Sequence, residues 1–333
     1  MFRFAAFLGL LYIASASEIC VGNVPGESLQ GLCVPKIDCK SDEWEFGTTM
    51  KEPDLDNHLY YAPTHGRIGN QIEQLLGMMS MAVQTNRTLI YPDFILYGGD
   101  RRKLPFTDLF QSNFGIYIPN FKPMQVHTFS IETYLKRSDW QENFDPSADI
   151  MTMGDIKEMK DPLIATPYPL SKFPVNPGHR HMQSKLRWSS KLIAETTLPK
   201  RPYVGMHLRR GRDWKSLLTK VGLRKFMAHP QNNRTTDIAL TTNMIYPDIS
   251  YIKRVIQQQD IKNIFIASDV RLTFEVEQYN IFFGSVKHFT GDLYVLERSD
   301  LFIGNTVSSF SSCVTRMREK RGAKTEFFGI DYL

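Results

Sequence analysis

The chain has 333 residues and a nearly balanced charge, with 40 Lys and Arg against 35 Asp and Glu and a formal net charge of +5. Hydrophobic residues make up 42% and charged residues 23%, which is typical of a folded globular protein and excludes a disordered chain. Because the basic residues are scattered among acids, the composition argues against a nucleic-acid partner and favours a small phosphorylated ligand.

The first sixteen residues have the pattern of a signal peptide. Arg3 precedes an apolar run at 4–13, and Ala-Ser-Ala at 14–16 has the small residues of a cleavage site. The run is shorter than the roughly 20 residues that a helix needs to span a bilayer, and no later stretch is apolar enough to do so. We therefore assign 1–16 to a signal peptide and expect a lumenal protein without a membrane span.

Four cysteines remain after this cleavage: Cys20, Cys33, Cys39 and Cys313. In an oxidising compartment an even number predicts two disulfides, and the sequence leaves all three pairings open. Their spacing matches no zinc motif. The sequons that begin at Asn86 and Asn233 agree with passage through the secretory pathway.

The segment from Tyr60 to Tyr91 predicts a βαβ unit. A short strand at Tyr60 leads into a Gly-containing turn at 65–70, and a second buried strand is expected at 89–91. Between them, apolar residues recur with the spacing of one helix face: Ile72, Leu75, Leu76, Met79 and Val83. A βαβ opening implies a parallel sheet covered by helices.

A similar alternation returns in the second half of the chain. Residues 145–177 are rich in Pro and polar residues, and we expect loops around short elements there. A helix is predicted over 186–192, followed by strands that start at Tyr203, Ile264 and Leu301.

This order of elements predicts an α/β fold with two Rossmann-like lobes that face a central cleft, at 17–195 and 196–333. Open parallel sheets bind ligands beyond the carboxyl ends of their strands. Polar clusters follow four of the predicted strands, at 65–70, 207–214, 268–269 and 305–310. We expect these four strand ends to line one cleft.

The cluster at 207–214 indicates a diphosphate site. It places three arginines, a histidine and a glycine at a strand end, and a guanidinium donates two parallel hydrogen bonds to phosphate oxygens. The alternation of His207 and Arg209 puts both on one side of the strand. An exposed basic loop stabilised by Asp213 is the open alternative.

Two further clusters offer anion-binding groups at helix starts. The small residues at 66–71 allow a helix N-terminus, with its free N–H groups, to approach a ligand. A tight βα turn without a ligand is the alternative. The hydroxyls at 305–310 either cap the next helix or bond a diphosphate.

Two other patterns have the form of metal sites. Asp54-Leu55-Asp56 matches a metal-binding DxD motif, but no predicted strand leads into it. The His-Arg-His sequence at 179–181 lies in a Pro-rich polar stretch, and we interpret it as a surface loop. We therefore assign no metal.

The motifs taken together resemble the protein O-fucosyltransferase 1 family. Residues 66–71 (Gly-Arg-Ile-Gly-Asn-Gln) are similar to the family's Gly-Arg-Phe-Gly-Asn-Gln opening, with Ile68 in place of Phe. Other matching segments, in the family's order, are 76–77, 86–89, 201–209, 213–215, 292–294, 300, 302–305, 307–310 and 327–329. The resemblance covers about 66–329, which is most of the mature chain.

The resemblance implies a GT-B fold and a metal-independent, inverting transfer of fucose from GDP-fucose to Ser or Thr hydroxyls of EGF-like repeats. GDP-fucose is the donor substrate, and no cofactor is implied. By matching position, Arg209 holds the diphosphate and stabilises the leaving GDP, and Asn70 is a second catalytic residue beside the sugar and acceptor. The residues expected to bind the donor are Arg67, Ile68, Gly69, Asn70, His207, Arg209, Asp213, Asp269, Asp300, Ser308, Ser309 and Phe310.

Some of these roles are finer expectations. His207 and Asp213 would help to bind the nucleotide and orient Arg209. Asp269 and Asp300 are candidate acceptors for the donor edge of guanine, with caps at strand ends as the alternative. No carboxylate base stands out in the motifs, so we expect an oxocarbenium-like path in which the acceptor proton ends on the departing phosphate.

We expect a monomer in the lumen of the endoplasmic reticulum, and the absence of a retention-like tail leaves secretion open. Two other functions stay open. One is a catalytically silent paralogue that binds EGF-like domains as a chaperone, and the other is a fucosyltransferase that acts on glycans. The presence of Asn70 and Arg209 favours an enzyme, and the match at 66–71 favours protein acceptors.

Overall fold

The computed structural model describes most of the chain from residue 66 onward. The described residues are 66–85, 87–96, 102–119, 179–221, 240–285 and 289–332, with short strands at 18–20, 33–35, 59–61, 127–131, 149–151 and 163–165. The chain divides into two compact units, Met1–Phe46 and Gly47–Leu333. The predicted signal peptide at 1–16 and the DxD pattern at 54–56 lie outside the described residues.

The first unit contains an antiparallel hairpin. Its strands are β1 (Glu18–Cys20) and β2 (Cys33–Pro35), which pair so that Cys20 lies opposite Cys33.

The second unit contains two parallel five-stranded sheets. Its strands are β3 (Leu59–Tyr61), β4 (Thr88–Ile90), β5 (Phe94–Ile95), β6 (Lys103–Leu104), β7 (Phe110–Gln111), β8 (His127–Ile131), β9 (Asp149–Met151), β10 (Leu163–Ala165), β11 (Arg187–Trp188), β12 (Tyr203–Leu208), β13 (Asn263–Ser268), β14 (Asn280–Phe283), β15 (Leu301–Gly304) and β16 (Thr325–Phe327). Its helices are α1 (Ile68–Thr85), α2 (Phe106–Leu109), α3 (His179–Ser184), α4 (Ser190–Glu195), α5 (Arg212–Val221), α6 (Thr242–Ile245), α7 (Ile249–Gln257), α8 (Phe289–Arg298) and α9 (Ser309–Glu319).

The amino-terminal sheet has the strand order β4-β3-β10-β8-β9, and the carboxyl-terminal sheet has the order β14-β13-β12-β15-β16. Counted within its own sheet, the second order is 3-2-1-4-5, the doubly wound arrangement that reverses between β12 and β15. A ligand crevice is expected beyond the carboxyl ends of these two strands. All strands of the amino-terminal sheet precede the predicted lobe boundary at 195/196, and all strands of the carboxyl-terminal sheet follow it. Because Gly47–Leu333 is one compact unit, the division into two lobes stays a prediction.

The βαβ prediction at the start of the unit is confirmed. Strand β3 pairs in parallel with β4, and α1 connects them. The apolar stripe on α1 is buried, because Ile72, Leu75, Leu76 and Met79 have no exposed surface. This face packs into a core that also includes Phe302 from the carboxyl-terminal sheet.

The central strand β12 is buried on both faces. Tyr203 belongs to the core that α1 enters, whereas Val204, Met206 and Leu208 belong to a second core on the other side of the sheet. Alternation of this kind follows from the two-residue period of a strand, and burial on both faces is typical of a parallel sheet that helices cover.

The prediction of one helix over 186–192 is wrong. The chain forms β11 there and then begins α4, because the Ser189 side chain accepts a hydrogen bond from the Leu192 N–H at 3.0 Å and caps a new helix. The histidine pattern at 179–181 is also not a surface loop. It begins α3, and His179 is buried against Glu73.

The prediction of two disulfides is wrong as well. Cys313 is a free, buried thiol on α9, so at most one disulfide remains for the other three cysteines. This thiol belongs to the apolar core that α1 also enters. Among the described helices, none combines the length and the apolar character that crossing a membrane requires.

Candidate active site

One cavity of about 760 Å³ opens where the start of α1 meets the carboxyl ends of β12, β13 and β15. The lining residues come from all four predicted strand-end clusters, from Ala267 on β13 and from α8. They are Gly66, Arg67, Ile68, Gly69, Asn70, His207, Arg209, Asp213, Trp214, Ala267, Ser268, Asp269, Phe289, Asp292, Ser308, Ser309 and Phe310. The expectation that four distant segments line one cleft is therefore confirmed.

The turn into α1 presents the helix N-terminus to the cavity. Gly66 has a φ of 77°, in the left-handed region that glycine adopts without strain. Gln71 braces the turn, since its Nε2 donates to the carbonyls of Gly66 at 2.6 Å and Ile95 at 2.7 Å. The N–H of Ile95 in turn donates to its Oε1 at 2.8 Å. The free N–H groups of the first turn therefore have a fixed direction, and the helix dipole there favours an anion.

Helices α1 and α9 touch at the edge of the cavity. A Cβ on Gly69 would lie 2.6 Å from the Phe310 nitrogen and 2.7 Å from the Ser309 Oγ, so a side chain at this position would push the helices apart. The Ser309 hydroxyl donates to Asn70 Oδ1 at 2.7 Å. Ser308 begins α9 without a side-chain capping bond, so its hydroxyl is available to a ligand. Two helix N-termini thus converge on one cavity.

Two arginines and two aspartates form a closed charge network in the cavity. Arg67 lies 3.2 Å from both Asp213 and Asp269. Arg209 donates to Asp213 at 2.7 Å and contacts Asp269 through Nη1. Burial and the neighbouring Arg67 lower the pKa of Arg209 to about 10, so it still carries its charge at neutral pH.

The same network keeps Asp213 ionised. Burial by itself would raise the pKa of this carboxyl, but Arg209 and Arg67 outweigh it and hold the pKa below its ordinary value. Each carboxylate in the network therefore neutralises an arginine that a phosphate could otherwise bind, and an incoming diphosphate must compete with it.

Asp269 also fixes the backbone after β12. Its carboxylate accepts from the N–H groups of Arg210 at 2.7 Å and Gly211 at 3.0 Å. A Cβ on Gly211 would lie 2.4 Å from Asp213 and 2.5 Å from Asp269, so the glycine permits this tight approach. Asp269 therefore caps the backbone that follows β12, as one alternative predicted, and it also lines the cavity, as the other alternative predicted.

Arg209 is held from its other side by Trp214. The guanidinium lies 5.1 Å from the centre of the indole ring, within the range of a cation–π contact. The side chain of Arg209 is only 12% exposed, whereas Arg212 on the same segment is exposed. An exposed basic loop is therefore the wrong description for Arg209.

His207 is a buried, neutral donor or acceptor. Its ring stacks on Phe310 with centroids 4.5 Å apart, and its Nδ1 lies 2.8 Å from the Ser311 Oγ. That Oγ already accepts from the Asn305 N–H at 2.9 Å, which favours donation of its own hydrogen to His207. Burial, and to a lesser degree Arg209, lower the pKa of His207 to about 3. The geometry thus favours a neutral ring with its hydrogen on Nε2.

Asp292 on α8 is a cavity residue that the sequence reasoning missed. Asp292 is buried, and burial raises its pKa to about 7. A hydrogen bond from the Ser285 backbone lowers the pKa, but by less than burial raises it. A Cβ on Gly284 would lie 2.4 Å from its Oδ2, so this glycine makes room for the carboxyl. Phe289 lies on the same helix and lines the same cavity. The available signal was the match of 292–294 to a family motif.

Asp300 does not reach the cavity. It precedes β15, where it accepts from the Tyr203 N–H at 2.9 Å and pairs with Arg201. A residue before a parallel strand lies at the amino end of the sheet, whereas the cavity lies at the carboxyl ends. The position of Asp300 therefore does not support the expectation that it contacts the donor. The structure shows the alternative, in which Asp300 caps the start of a strand.

The cavity suits an organic diphosphate. Two arginines, two helix N-termini and the hydroxyl of Ser308 are groups of the kind that bind phosphate oxygens. Among the described residues, no group of three or more His, Cys, Asp or Glu side chains has the geometry to hold a metal ion.

The chain matches known proteins over most of its length. A sequence profile described as GDP-fucose protein O-fucosyltransferase matches residues 113–321. GDP-fucose protein O-fucosyltransferase 1 of Caenorhabditis elegans is 26% identical over an alignment of 362 positions, which covers 84% of this chain and 92% of the relative.

Solved structures match the fold. Apo POFUT1 superposes with a TM-score of 0.66 at 22% identity, covering 84% of this chain and 100% of its own. POFUT1 in complex with GDP-fucose gives a TM-score of 0.66 at 21% identity, covering 83% of this chain and 99% of its own. These matches confirm the predicted GT-B fold. Since the profile also covers more than half of the sequence, the chain belongs to the GDP-fucose protein O-fucosyltransferase family of glycosyltransferases.

Proposed function

We propose that this protein transfers fucose from GDP-fucose to a Ser or Thr hydroxyl of an EGF-like repeat, with inversion and without a metal. The observation that carries the proposal is the convergence of Arg209 and two helix N-termini on one cavity. The family membership supports the same donor.

The diphosphate is proposed to bind between Arg209 and the start of α9. In the donor complex the phosphate oxygens share the N–H groups of the two arginines with Asp213 and Asp269, since each guanidinium has several donors. The hydroxyl of Ser308 supplies a further donor, whereas the hydroxyl of Ser309 donates to Asn70.

The guanine base is proposed to lie against Phe289 with its N–H edge on Asp292. Asp292 contacts the end of β14 at Gly284, whereas Arg209 follows β12, two strands away in the sheet. Neighbouring strands are about 4.8 Å apart, so these two sites are separated by roughly 10 Å. That distance fits a base and a diphosphate of one nucleotide, and an ionised carboxylate accepts both guanine donors.

In the proposed reaction the bond from fucose C1 to the β-phosphate oxygen breaks, and its electron pair stays on that oxygen. The acceptor hydroxyl oxygen bonds to C1 from the opposite face. Negative charge grows on the β-phosphate as the sugar leaves, and Arg209 opposes it directly. The neutral His207 adds a hydrogen bond from Nε2 without adding charge to the site.

The acceptor proton is proposed to end on the departing phosphate. Asp213 and Asp269 both line the cavity and pair with arginines, and Arg209 and Arg67 hold the pKa of Asp213 below its ordinary value, which makes Asp213 a weak base. An inflection in the rate against pH that disappears on substitution of one of these two carboxylates would contradict this proton path.

The compartment and acceptor are finer proposals. We propose that the reaction takes place in the lumen of the endoplasmic reticulum, because the predicted signal peptide at 1–16 directs a chain there. Transfer to a glycan is the second candidate, and a silent EGF-binding protein is the third. The intact Arg209 network favours turnover over the silent protein.

The decisive assay measures transfer of labelled fucose from GDP-fucose to a folded EGF-like repeat in EDTA. We expect transfer by the wild type and a loss of about 100-fold or more for Arg209→Ala, which is the effect of removing one such charge-stabilising donor. Arg212→Ala is the matched control, because Arg212 is exposed and lies outside the cavity. A reduced, unfolded repeat and a free glycan serve as alternative acceptors.

Each outcome has a separate meaning. Transfer to the free glycan alone would replace the protein acceptor. Binding of GDP-fucose with no transfer to any acceptor would favour the silent protein. Transfer that EDTA abolishes and added metal restores would contradict the metal-independent reaction.

A further inference from the structure

Behind the cavity, a buried ionic cluster joins α1, α3 and α9. Arg316 donates to Glu73 through both terminal nitrogens, and His179 Nδ1 lies 2.7 Å from the same carboxylate. The side chains of Glu73 and Arg316 are 0% and 1% exposed. Gln183 contacts the Arg316 Nε, and its amide also donates to the Cys313 carbonyl at 2.8 Å.

This cluster is not explained by stability alone. Removing two charges from water costs about as much as their attraction returns, so an apolar pair would serve the core equally well. A bidentate arginine–carboxylate pair differs from an apolar contact in having essentially one geometry. Burial would favour protonation of Glu73, but Arg316 and His179 hold its pKa below the ordinary value, so the pair is ionic.

The pair connects the same two helices that meet at the cavity. Asn70 and Glu73 lie three residues apart on α1, and Ser309 and Arg316 lie seven residues apart on α9, so each pair shares a helix face. The two contacts, Asn70 with Ser309 and Glu73 with Arg316, therefore follow the same order along both helices.

The spacing explains why an arginine is needed. At about 1.5 Å per residue, the two contacts are separated by roughly 4.5 Å along α1 and 10.5 Å along α9. Long side chains in helices lean toward the N-terminus, and an arginine can span the difference of about 6 Å. A shorter cation would reach Glu73 only if α9 slid along α1.

We propose that the Glu73–Arg316 pair, with His179, sets the axial register of α1 against α9 and thereby positions Asn70 opposite Ser309 in the transfer site. Glu73, His179 and Arg316 are positioning residues, since they act through the two helix N-termini. The proposal rests on the transfer reaction proposed above, and its test includes a measurement that does not need transfer.

The main variant combines Glu73→Gln with Arg316→Met, which removes both charges and leaves an amide for His179. Arg316→Lys is the milder variant, because it keeps the charge but shortens the side chain and loses the fork. Arg318→Lys is the matched control: Arg318 is also buried on α9, but it donates to the carbonyls of Glu297 and Ser299, which do not belong to α1.

We expect kcat to fall about tenfold or more in the double variant and about threefold in Arg316→Lys, with KM for GDP-fucose changed less than threefold. Small misplacements of reacting groups cost more in the transition state than in donor binding. The control should lose melting temperature while kcat stays within twofold of the wild type. A double variant that folds and keeps kcat within twofold would overturn the proposal. If that variant does not fold, an Arg316→Lys kcat equal to that of the control would overturn it.

Hydrogen exchange with bound GDP tests the register without transfer. In the wild type, GDP should slow exchange in both 66–71 and 309–312. In the double variant and in Arg316→Lys, protection at 66–71 should drop at least threefold while 309–312 stays protected. Equal protection of both segments in these variants would contradict the proposal, even if the wild type transferred fucose to no acceptor tested.

Discussion

The surroundings of four cavity side chains determine their charge at neutral pH. Three of them keep one protonation state, and the fourth has a pKa close to neutral pH. Arg209 stays cationic although burial lowers its pKa, and His207 stays neutral because burial depresses its pKa to about 3. Asp213 stays anionic between two arginines. Asp292 differs from all three, since its pKa of about 7 lies within the physiological range.

Asp292→Asn tests the guanine assignment. Inosine diphosphate lacks the 2-amino group, so the wild type should bind GDP about tenfold more tightly than inosine diphosphate at pH 8, as expected for one hydrogen bond to a charged group. The variant should lose most of this preference. Titration calorimetry with both nucleotides measures it. Unchanged nucleotide affinities together with a large loss of kcat would make Asp292 a general base instead.

The same residue predicts how affinity depends on pH. Ionised Asp292 accepts from guanine, so wild-type affinity for GDP should rise about tenfold from pH 6 to pH 8 as a group with a pKa of about 7 deprotonates. The diphosphate of GDP also titrates in this pH range. In Asp292→Asn, the change in affinity with pH comes from the diphosphate alone. A rise of equal size in the variant would remove Asp292 from the explanation.

Ionisation of Asp292 has opposite effects on GDP affinity and on folding stability: as the pH rises, affinity increases and stability decreases. The pKa of Asp292 is raised in the folded protein from 3.8 to about 7, so its contribution to stability is full below pH 3.8 and is lost as the pH rises to about 7. Asp292→Asn cannot ionise and should therefore melt at a higher temperature than the wild type at pH 8. The difference should shrink toward pH 4.

At the scale of elements, the site is the meeting point of two helix N-termini. The start of α1 is fixed by Gly66 and Gln71, and the start of α9 follows β15 at the switch point of the carboxyl-terminal sheet. Gly69 decides how close these helices come, because its missing side chain leaves room for the backbone of Phe310.

Gly69→Ala should separate the two helices at the cavity. The added methyl has no space beside Ser309 and Phe310, so we expect a loss of about 1–3 kcal/mol in the free energy of unfolding from overpacking. Transfer should fall by a larger factor than stability explains, because the Asn70–Ser309 hydrogen bond is lost. Urea unfolding and the transfer assay measure both effects.

Gly291→Ala on α8 is the control, since the nearest atom to its Cβ would be the Thr196 Oγ1 at 3.3 Å. It should change stability and transfer little. A Gly69→Ala protein with wild-type transfer would show that the close approach of the helices is not needed for the reaction.

At the scale of the whole molecule, the core does not stop at the predicted boundary between the lobes. One apolar cluster contains Leu75 and Phe106 from the first half of the chain and Phe265, Leu293 and Phe302 from the second. Residues 47–333 accordingly form one compact unit.

This shared core predicts a single cooperative unfolding transition for residues 47–333. GDP at 100 times its Kd should shift the whole transition upward, since such binding adds about 2.7 kcal/mol to the free energy of unfolding. Calorimetry at two GDP concentrations checks this. Two separate peaks, of which GDP moved only one, would mean that the lobes unfold independently.

Local sequence patterns predicted the parts that depend on neighbouring residues. The apolar spacing on α1 and the apolar runs of β12, β13 and β15 predicted those elements correctly. The region before β12 was misread, because Ser189 caps a new helix within a pattern that looked continuous. A single capping bond decides such a boundary, and periodicity does not detect it.

By itself, the sequence determined the family, the α/β order of elements and most of the residues that line the cavity, because motifs and strand ends are local features. Only the tertiary structure placed Asp300 at the opposite end of the sheet, brought Asp292 into the cavity and joined Glu73 to Arg316. These placements depend on contacts between residues 97–243 positions apart or on the direction of a strand, and local sequence patterns contain neither.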